Sequence, residues 1–443
     1  MFILRNILLP LQQEFKRRCK GDERGVWFVY TLLAVITHFT SSRSANLLRC
    51  LQTLFGLSLS QRRFYIFMAS SKLPWSRLWA TLWSLIPKPT TSGRLLLALD
   101  DYINPKTGKK IFGCASFFDH AAKTNQSEYP WSQNVVSIGL LKVVKGRWAF
   151  LPLAFRFYHM KKTIDAGKIK INGKVPSFQT KHAQAVEMLS KISAAFQDTP
   201  LLVVTDSWFG NNGLFKPMHK VVGLHTHILS RLRVNTTLFA LSPKRQKYQL
   251  GRSRKYGDKL GNAATLASEF QENAAIYSVN LYGKQRDVMA SDKIMMLKTL
   301  KCSVRVVWVY RKSQWVALFT TDLDLTVKQI IEYYGARWKI EAGFKEIKQE
   351  IGSSKSQNRN YHAVTNHLNF CMMAATVTWI YAAHLDKAPQ RCYAVNNRTH
   401  FAFSDVRKLI TQTALDKNFV TVFPRTGNPA QNSFISALLR LVA

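Results

Sequence analysis

Acidic residues are what this 443-residue chain is short of. Its 25 Asp and Glu stand against 63 Lys and Arg, a formal charge of +38 at pH 7. A surface of that sign disfavours cationic partners and suits a polyanion, nucleic acid before a membrane surface. Cysteine is sparse and scattered, at Cys19, Cys50, Cys114, Cys302, Cys371 and Cys392, with no Cys-x-x-Cys pair. A disulfide scaffold and a zinc ribbon are thereby excluded. Long apolar runs are missing too. The uncharged stretches Gly25 to Ser42 and Ala363 to Leu385 are interrupted by Thr, His, Asn or Tyr, so they read as buried helices rather than membrane spans. The N-terminus has an apolar start broken by Arg5 and lacks a small-residue cleavage site, which argues against a secretory signal and for a cytoplasmic protein. Neither an internal repeat nor a plausible Ser/His/Asp or Cys/His arrangement is found.

What is present is 47% hydrophobic and 12% aromatic residues, enough for packed cores. Residues 1–90 show helical spacing, as in Leu47, Leu48, Leu51, Leu54 and Phe55, and end in a breaker cluster with Pro87, Pro89 and Gly93. This segment is expected to be a helical, DNA-binding domain. An α/β stretch over 91–234 follows. Leu95 to Leu99 and Leu201 to Thr205 are apolar strand-length runs that lead into Asp100 and Asp206. Open α/β sheets place ligands at such strand ends, so both aspartates are site candidates. Residues 235–314 read as short strands between basic loops, with Arg252, Arg254 and Lys255 in a cationic loop suited to phosphates. His225 and His227 read as core or phosphate-side histidines, and Trp208 as a packing residue. Residues 315–352 carry the next motif, and 353–443 are expected to be helical, with a possible dimer interface.

That motif is YYGARWKIEAGFKEIKQEI, Tyr333 to Ile351. On one continuous helix Tyr334, Arg337, Glu341, Lys345 and Lys348 form a polar stripe. Ala336, Ile340, Phe344, Ile347 and Ile351 form the core face, and Lys339, Glu346 and Glu350 a solvated one. A single carboxylate bracketed by three cations and a phenol suits phosphodiester chemistry: Glu341 holds a divalent metal while the cations grip phosphates. With Asp100 and Asp206 it completes three hard oxygen ligands, the set needed for two Mg²⁺ ions in in-line phosphoryl transfer.

Tyr334, Arg337, Glu341 and Lys348 also match the signature Y-x2-R-x3-E-x6-K, so the chain resembles the bacterial insertion-sequence transposases with an Asp-Asp-Glu triad. The likeness runs from LALDDYINPKTGKK through VVTDSWFGNNGLF to the Glu341 segment. Tyr102 stands where many relatives have Thr. The resemblance implies an α/β fold: an RNase H-like core interrupted by a β-rich insertion, with helical N-terminal and C-terminal regions. It implies Asp100, Asp206 and Glu341 as catalytic ligands of two Mg²⁺, with Mn²⁺ able to substitute, and Asp101 as a supporting group. The expected partners are double-stranded DNA, as terminal inverted repeats and target, and a second copy in a synaptic homodimer within the bacterial nucleoid. Trp308 or Trp315 would stack on a flipped base if the ends pass through a hairpin, the alternative being that both pack in the fold. The competing functions are a metal-dependent nuclease without strand transfer and a domesticated, non-catalytic DNA-binding protein.

Overall fold

The computed structural model describes residues 2–16, 21–37, 41–120, 122–243, 254–312, 314–394 and 400–416. Helices open the chain: α1 (Phe2–Gln13), α2 (Gly21–Ile36), α3 (Ser44–Arg49), α4 (Gln61–Met68) and α5 (Trp75–Ser84). Asp100 and Asp206 lie in the α/β stretch, made of β1 (Leu95–Pro105), β2 (Cys114–Ser116), β3 (Trp131–Val144), β4 (Arg147–Tyr158), α6 (Lys161–Asp165), α7 (Lys181–Ala195), β5 (Leu201–Thr205), α8 (Asn212–Val221) and β6 (Thr226–Arg231). A β-rich stretch contains β7 (Thr237–Phe239), β8 (Lys259–Asn262), α9 (Ala263–Gln271), β9 (Ala275–Leu281), β10 (Lys284–Leu297), β11 (Cys302–Arg311) and β12 (Gln314–Thr320). The described chain closes with α10 (Val327–Arg337), α11 (Lys339–Lys345), α12 (Tyr361–His384) and α13 (Phe403–Ala414).

The fold is mixed α/β, built on one 12-stranded, mostly antiparallel sheet. β4 pairs β3 and β3 pairs β1, both antiparallel, while β5 lies parallel to β1 and β6 parallel to β5. The β3–β4 hairpin turns at Lys145 and Gly146, both at positive φ, the left-handed pair that a two-residue hairpin of this twist requires. The β-rich stretch continues the same sheet, because β12 pairs β6 and passes the ladder to β11 and β10.

The N-terminal and C-terminal helices share one core. Phe28 of α2 packs on Phe370 of α12 with ring centroids 5.1 Å apart. The indoles of Trp75 and Trp79 in α5 donate to Asn366 and Asn369 of α12 at 2.7 and 2.8 Å. Arg407 of α13 donates to the Ile36 and Thr37 carbonyls at the end of α2 and to that of Glu350, satisfying acceptors that a helix end leaves free. Residues 25–36 of the first uncharged stretch lie in the buried helix α2 and residues 363–384 of the second in α12. Among the described residues no helix is long and apolar enough to cross a membrane.

Candidate active site

Asp100 does not end its strand. Antiparallel pairing with β3 carries β1 on to Pro105, so the aspartate lies in mid-ladder. The parallel partner supplies the strand end instead. Leu99 is in register with Thr205, and the next residues, Asp100 and Asp206, therefore come out side by side. The backbone N–H groups of Trp208 and Phe209 donate to Asp206 Oδ1 at 3.1 and 3.0 Å, closing the turn after β5.

Successive side chains on a strand face opposite ways, and this separates Asp101 from Asp100. Asp101 Oδ2 accepts from Lys181 at 2.7 Å and from Asn134 at 2.8 Å, facing α7. It acts as an anchor between β1, β3 and α7 and is not turned toward Glu341.

The Glu341 segment departs from the single helix expected. α10 starts at a capping box of Thr326 and Gln329 and ends at Arg337. α11 restarts after Trp338, and residues 346–350 widen into a π turn, a device frequent at functional sites. The stripe consequently divides. Arg337 turns inward, 3.4 Å from Asp100 Oδ2 and 3.2 Å from Glu341 Oε1, with its guanidinium 5.6 Å from the centre of the Tyr334 ring. Lys345 is exposed. Lys348 leans back over Tyr102 and donates to the Ile103 carbonyl at 3.5 Å. Tyr102 is buried and packs on Phe344.

Glu346, expected on a solvated face, is buried. Trp379 of α12 donates to its carboxylate at 3.3 Å, and Arg147 lies 3.7 Å away. Helix α12 covers this side of the 346–350 turn, which periodicity within the segment did not reveal. Gly343 allows the approach: a Cβ there would stand 2.4 Å from the Phe150 ring of β4.

Electrostatically, burial and then the neighbouring Asp206 carboxylate push Asp100 up to about 7, while Arg337 opposes them. Three carboxylates are the donor type a divalent cation takes, but here they are spread around the Arg337 guanidinium. Among the described residues no three His, Cys, Asp or Glu side chains are clustered closely enough to hold an ion. Arg337 spans the gap between Asp100 and Glu341. None of the three carboxylates lines the large cavity of about 720 Å³ bounded by α5, β4, α7 and α12.

Other expected residues fall elsewhere. Arg254 and Lys255 are exposed near β8, six strands across the sheet from β5, roughly 29 Å at the usual spacing. Arg252 lies outside the described residues. Trp308 is fully buried, donates to the Ala263 carbonyl at 3.0 Å and packs on Phe270. It is a packing residue and offers no face to a base. Trp315 is half-buried against the same core. His225 and His227 contact Ser193 and Thr321 and join no metal cluster. Trp208, read as packing, is 44% exposed, stacks on His182 at 4.8 Å and has Lys181 5.2 Å from its ring centre. Its nearness to Asp206 was visible in sequence; its exposure was not.

Asp100 on β1 and Asp206 just past β5 thus lie on adjacent parallel segments, with Glu341 across Arg337 from Asp100. Residues 25–310, more than half of the chain, match the family described as DDE superfamily endonuclease, and the chain belongs to that family. Residues 256–383, which include Glu341, match a second family, described as Archaeal putative transposase ISC1217. No curated protein matches the chain.

Proposed function

We propose that the protein is a DNA transposase that binds the terminal inverted repeats of a mobile element, cleaves at the ends and joins the 3′ hydroxyls to target DNA. The observation that carries this reading is the meeting of Asp100, Asp206 and Glu341 around Arg337, within a chain matching an endonuclease family and a transposase family. The strand order β4-β3-β1-β5-β6, antiparallel up to β1 and parallel after it, supports an RNase H-like core. The β10–β11–β12 ladder beyond it supports an insertion between Asp206 and Glu341.

In this reading Asp100, Asp206 and Glu341 hold divalent ions, Mg²⁺ or Mn²⁺. Such ions, when bound, activate a water or 3′ hydroxyl and neutralise charge on the phosphoryl oxygens. The rest falls to the chain. Tyr334 supports the Arg337 guanidinium from beneath. Lys345 and Lys348, one exposed and one seated beside β1, place cations along a phosphate backbone. Trp208 and Lys181 add an aromatic and a cationic surface next to Asp206. A second copy of the chain would supply the other half of a synaptic complex.

The test uses duplexes made from the DNA flanking the gene, in which this reading expects terminal inverted repeats. Asp100→Ala, Asp206→Ala and Glu341→Ala are each expected to abolish cleavage and joining while leaving duplex binding within a few-fold of the parent. Full cleavage by any one of them removes that residue from the site. Cleavage without joining, in the parent, would make the protein a simple nuclease.

A further inference from the structure

Between the end of β4 and the start of α7 the chain makes an excursion that the site does not use. It holds Lys161, Lys162, Lys168, Lys170 and Lys174 against a single acid, Asp165. All five lysines are exposed, and among the described residues none of them forms an ion pair. Lysines on a loose loop would spread into solvent. Here the backbone is pinned. Ile164 and Ile169 are buried anchors. Asn172 and Gly173, both at positive φ, close a tight turn in which Ile171 and Lys174 exchange backbone hydrogen bonds at 2.8 and 3.0 Å. The Asn172 side chain is then held by His362 of α12 at 2.7 Å. The fold thus maintains five like charges in one short, ordered segment, an arrangement that repels itself and is relieved by a polyanion. Prior ordering also lowers the entropy lost on binding.

Both roots of the excursion reach the catalytic strand. Tyr158, at the end of β4, is in register through Asn134 with Ile103, three residues beyond Asp100. At the other root Lys181 is bonded to Asp101. The strand on Asp206's side, β5, is three strands from β4, roughly 14 Å. The first root therefore stands at the edge of the sheet, at the same end of the strands as Asp100 and Asp206.

We propose that the segment 161–174 is a second contact for the backbone of duplex DNA, separate from Arg337, Lys345 and Lys348, gripping the duplex away from the scissile phosphate. The proposal rests on the DNA reading above. Its ligand chemistry is the phosphodiester backbone, whose source is either the element end or any other duplex, as target DNA would be.

A variant with all five lysines changed to Gln is compared with a control in which five exposed lysines elsewhere, Lys88, Lys216, Lys220, Lys328 and Lys387, are changed to Gln. Binding is followed by fluorescence anisotropy without divalent ions, across a salt series. One probe is a duplex carrying the flanking inverted repeat and the other an unrelated duplex of equal length; thermal melts confirm folding. The slope of log affinity against log salt is expected to become shallower by about 2–4 in the segment variant, at about 0.9 for each phosphate left unneutralised, and by less than about 1 in the control. Weakening confined to the inverted-repeat duplex assigns the segment to the element end, and equal weakening on both assigns it to duplex DNA in general. Equal slopes in the segment variant and the control overturn the proposal. A parent protein that binds neither duplex would instead refute the DNA reading itself.

Discussion

Arg337 has the most revealing environment of any single residue. The sequence pattern assigns it to phosphates, yet its guanidinium reaches Asp100 and Glu341 and feels Asp206. Before DNA arrives it is the cation of the acidic site. A fixed positive charge about 4–5 Å from a dication opposes its binding by at least about 1 kcal/mol even in high dielectric. Arg337→Ala is therefore expected to tighten Mn²⁺ binding to the DNA-free protein by about fivefold or more, measured by titration calorimetry above neutral pH, while cleavage falls. Arg337→Lys, which keeps the charge, should stay near the parent in Mn²⁺ affinity. Unchanged affinity in the Ala variant would return the guanidinium to a purely phosphate-gripping role.

At the scale of elements, the position of Glu341 depends on how closely α11 approaches the sheet. Gly343 faces the Phe150 ring, and the added methyl of Gly343→Ala would collide with ring carbons at 2.4 and 3.1 Å. Either Phe150 leaves its place in the core or α11 lifts, and overpacking of this kind costs about 1–3 kcal/mol. A shift of about 1 Å at a catalytic group can cost about a hundredfold in rate. Gly343→Ala is expected to lower cleavage by one to two orders of magnitude while lowering melting temperature only moderately, and Gly343→Ala with Phe150→Leu to recover part of the rate. A single variant with normal cleavage would show that the helix position is not set by this contact.

Across the whole molecule, N-terminal helices, sheet and C-terminal helices share one continuous hydrophobic core, so a buried charge at their junction is felt in global stability. Glu346 lies there, touching Arg147 of β4 and Trp379 of α12. Burial raises its carboxyl from 4.5 to about 8, Arg147 opposing. The folded chain keeps a proton that the unfolded chain releases, so this group's contribution is fully present below about 4.5 and is lost as pH rises toward about 8. Denaturant unfolding should show the parent losing stability relative to Glu346→Gln between about pH 5 and about pH 8. A pH-independent difference between the two would mean that Glu346 is ionised throughout, held by Arg147.

Local chemistry was legible in the sequence. The apolar runs before Asp100 and Asp206, the helical spacing around Glu341 and the excess of cations depend on neighbours along the chain, and backbone periodicity expresses them directly. The structure bears out the strand before Asp206 and the burial of α2 and α12. What tertiary structure alone decided are relations between distant residues. Antiparallel pairing with β3 extended β1 past Asp100, and parallel register with β5 brought Asp100 level with Asp206. Packing of α12 buried Glu346, and the π turn rotated Lys348 off the stripe toward β1. Strand alternation tells that Asp100 and Asp101 face apart, but only the position of α7 tells which one meets a lysine. The physical reason is the same each time: hydrogen-bond register and side-chain packing are settled between segments far apart in the chain, and no local pattern records the partner.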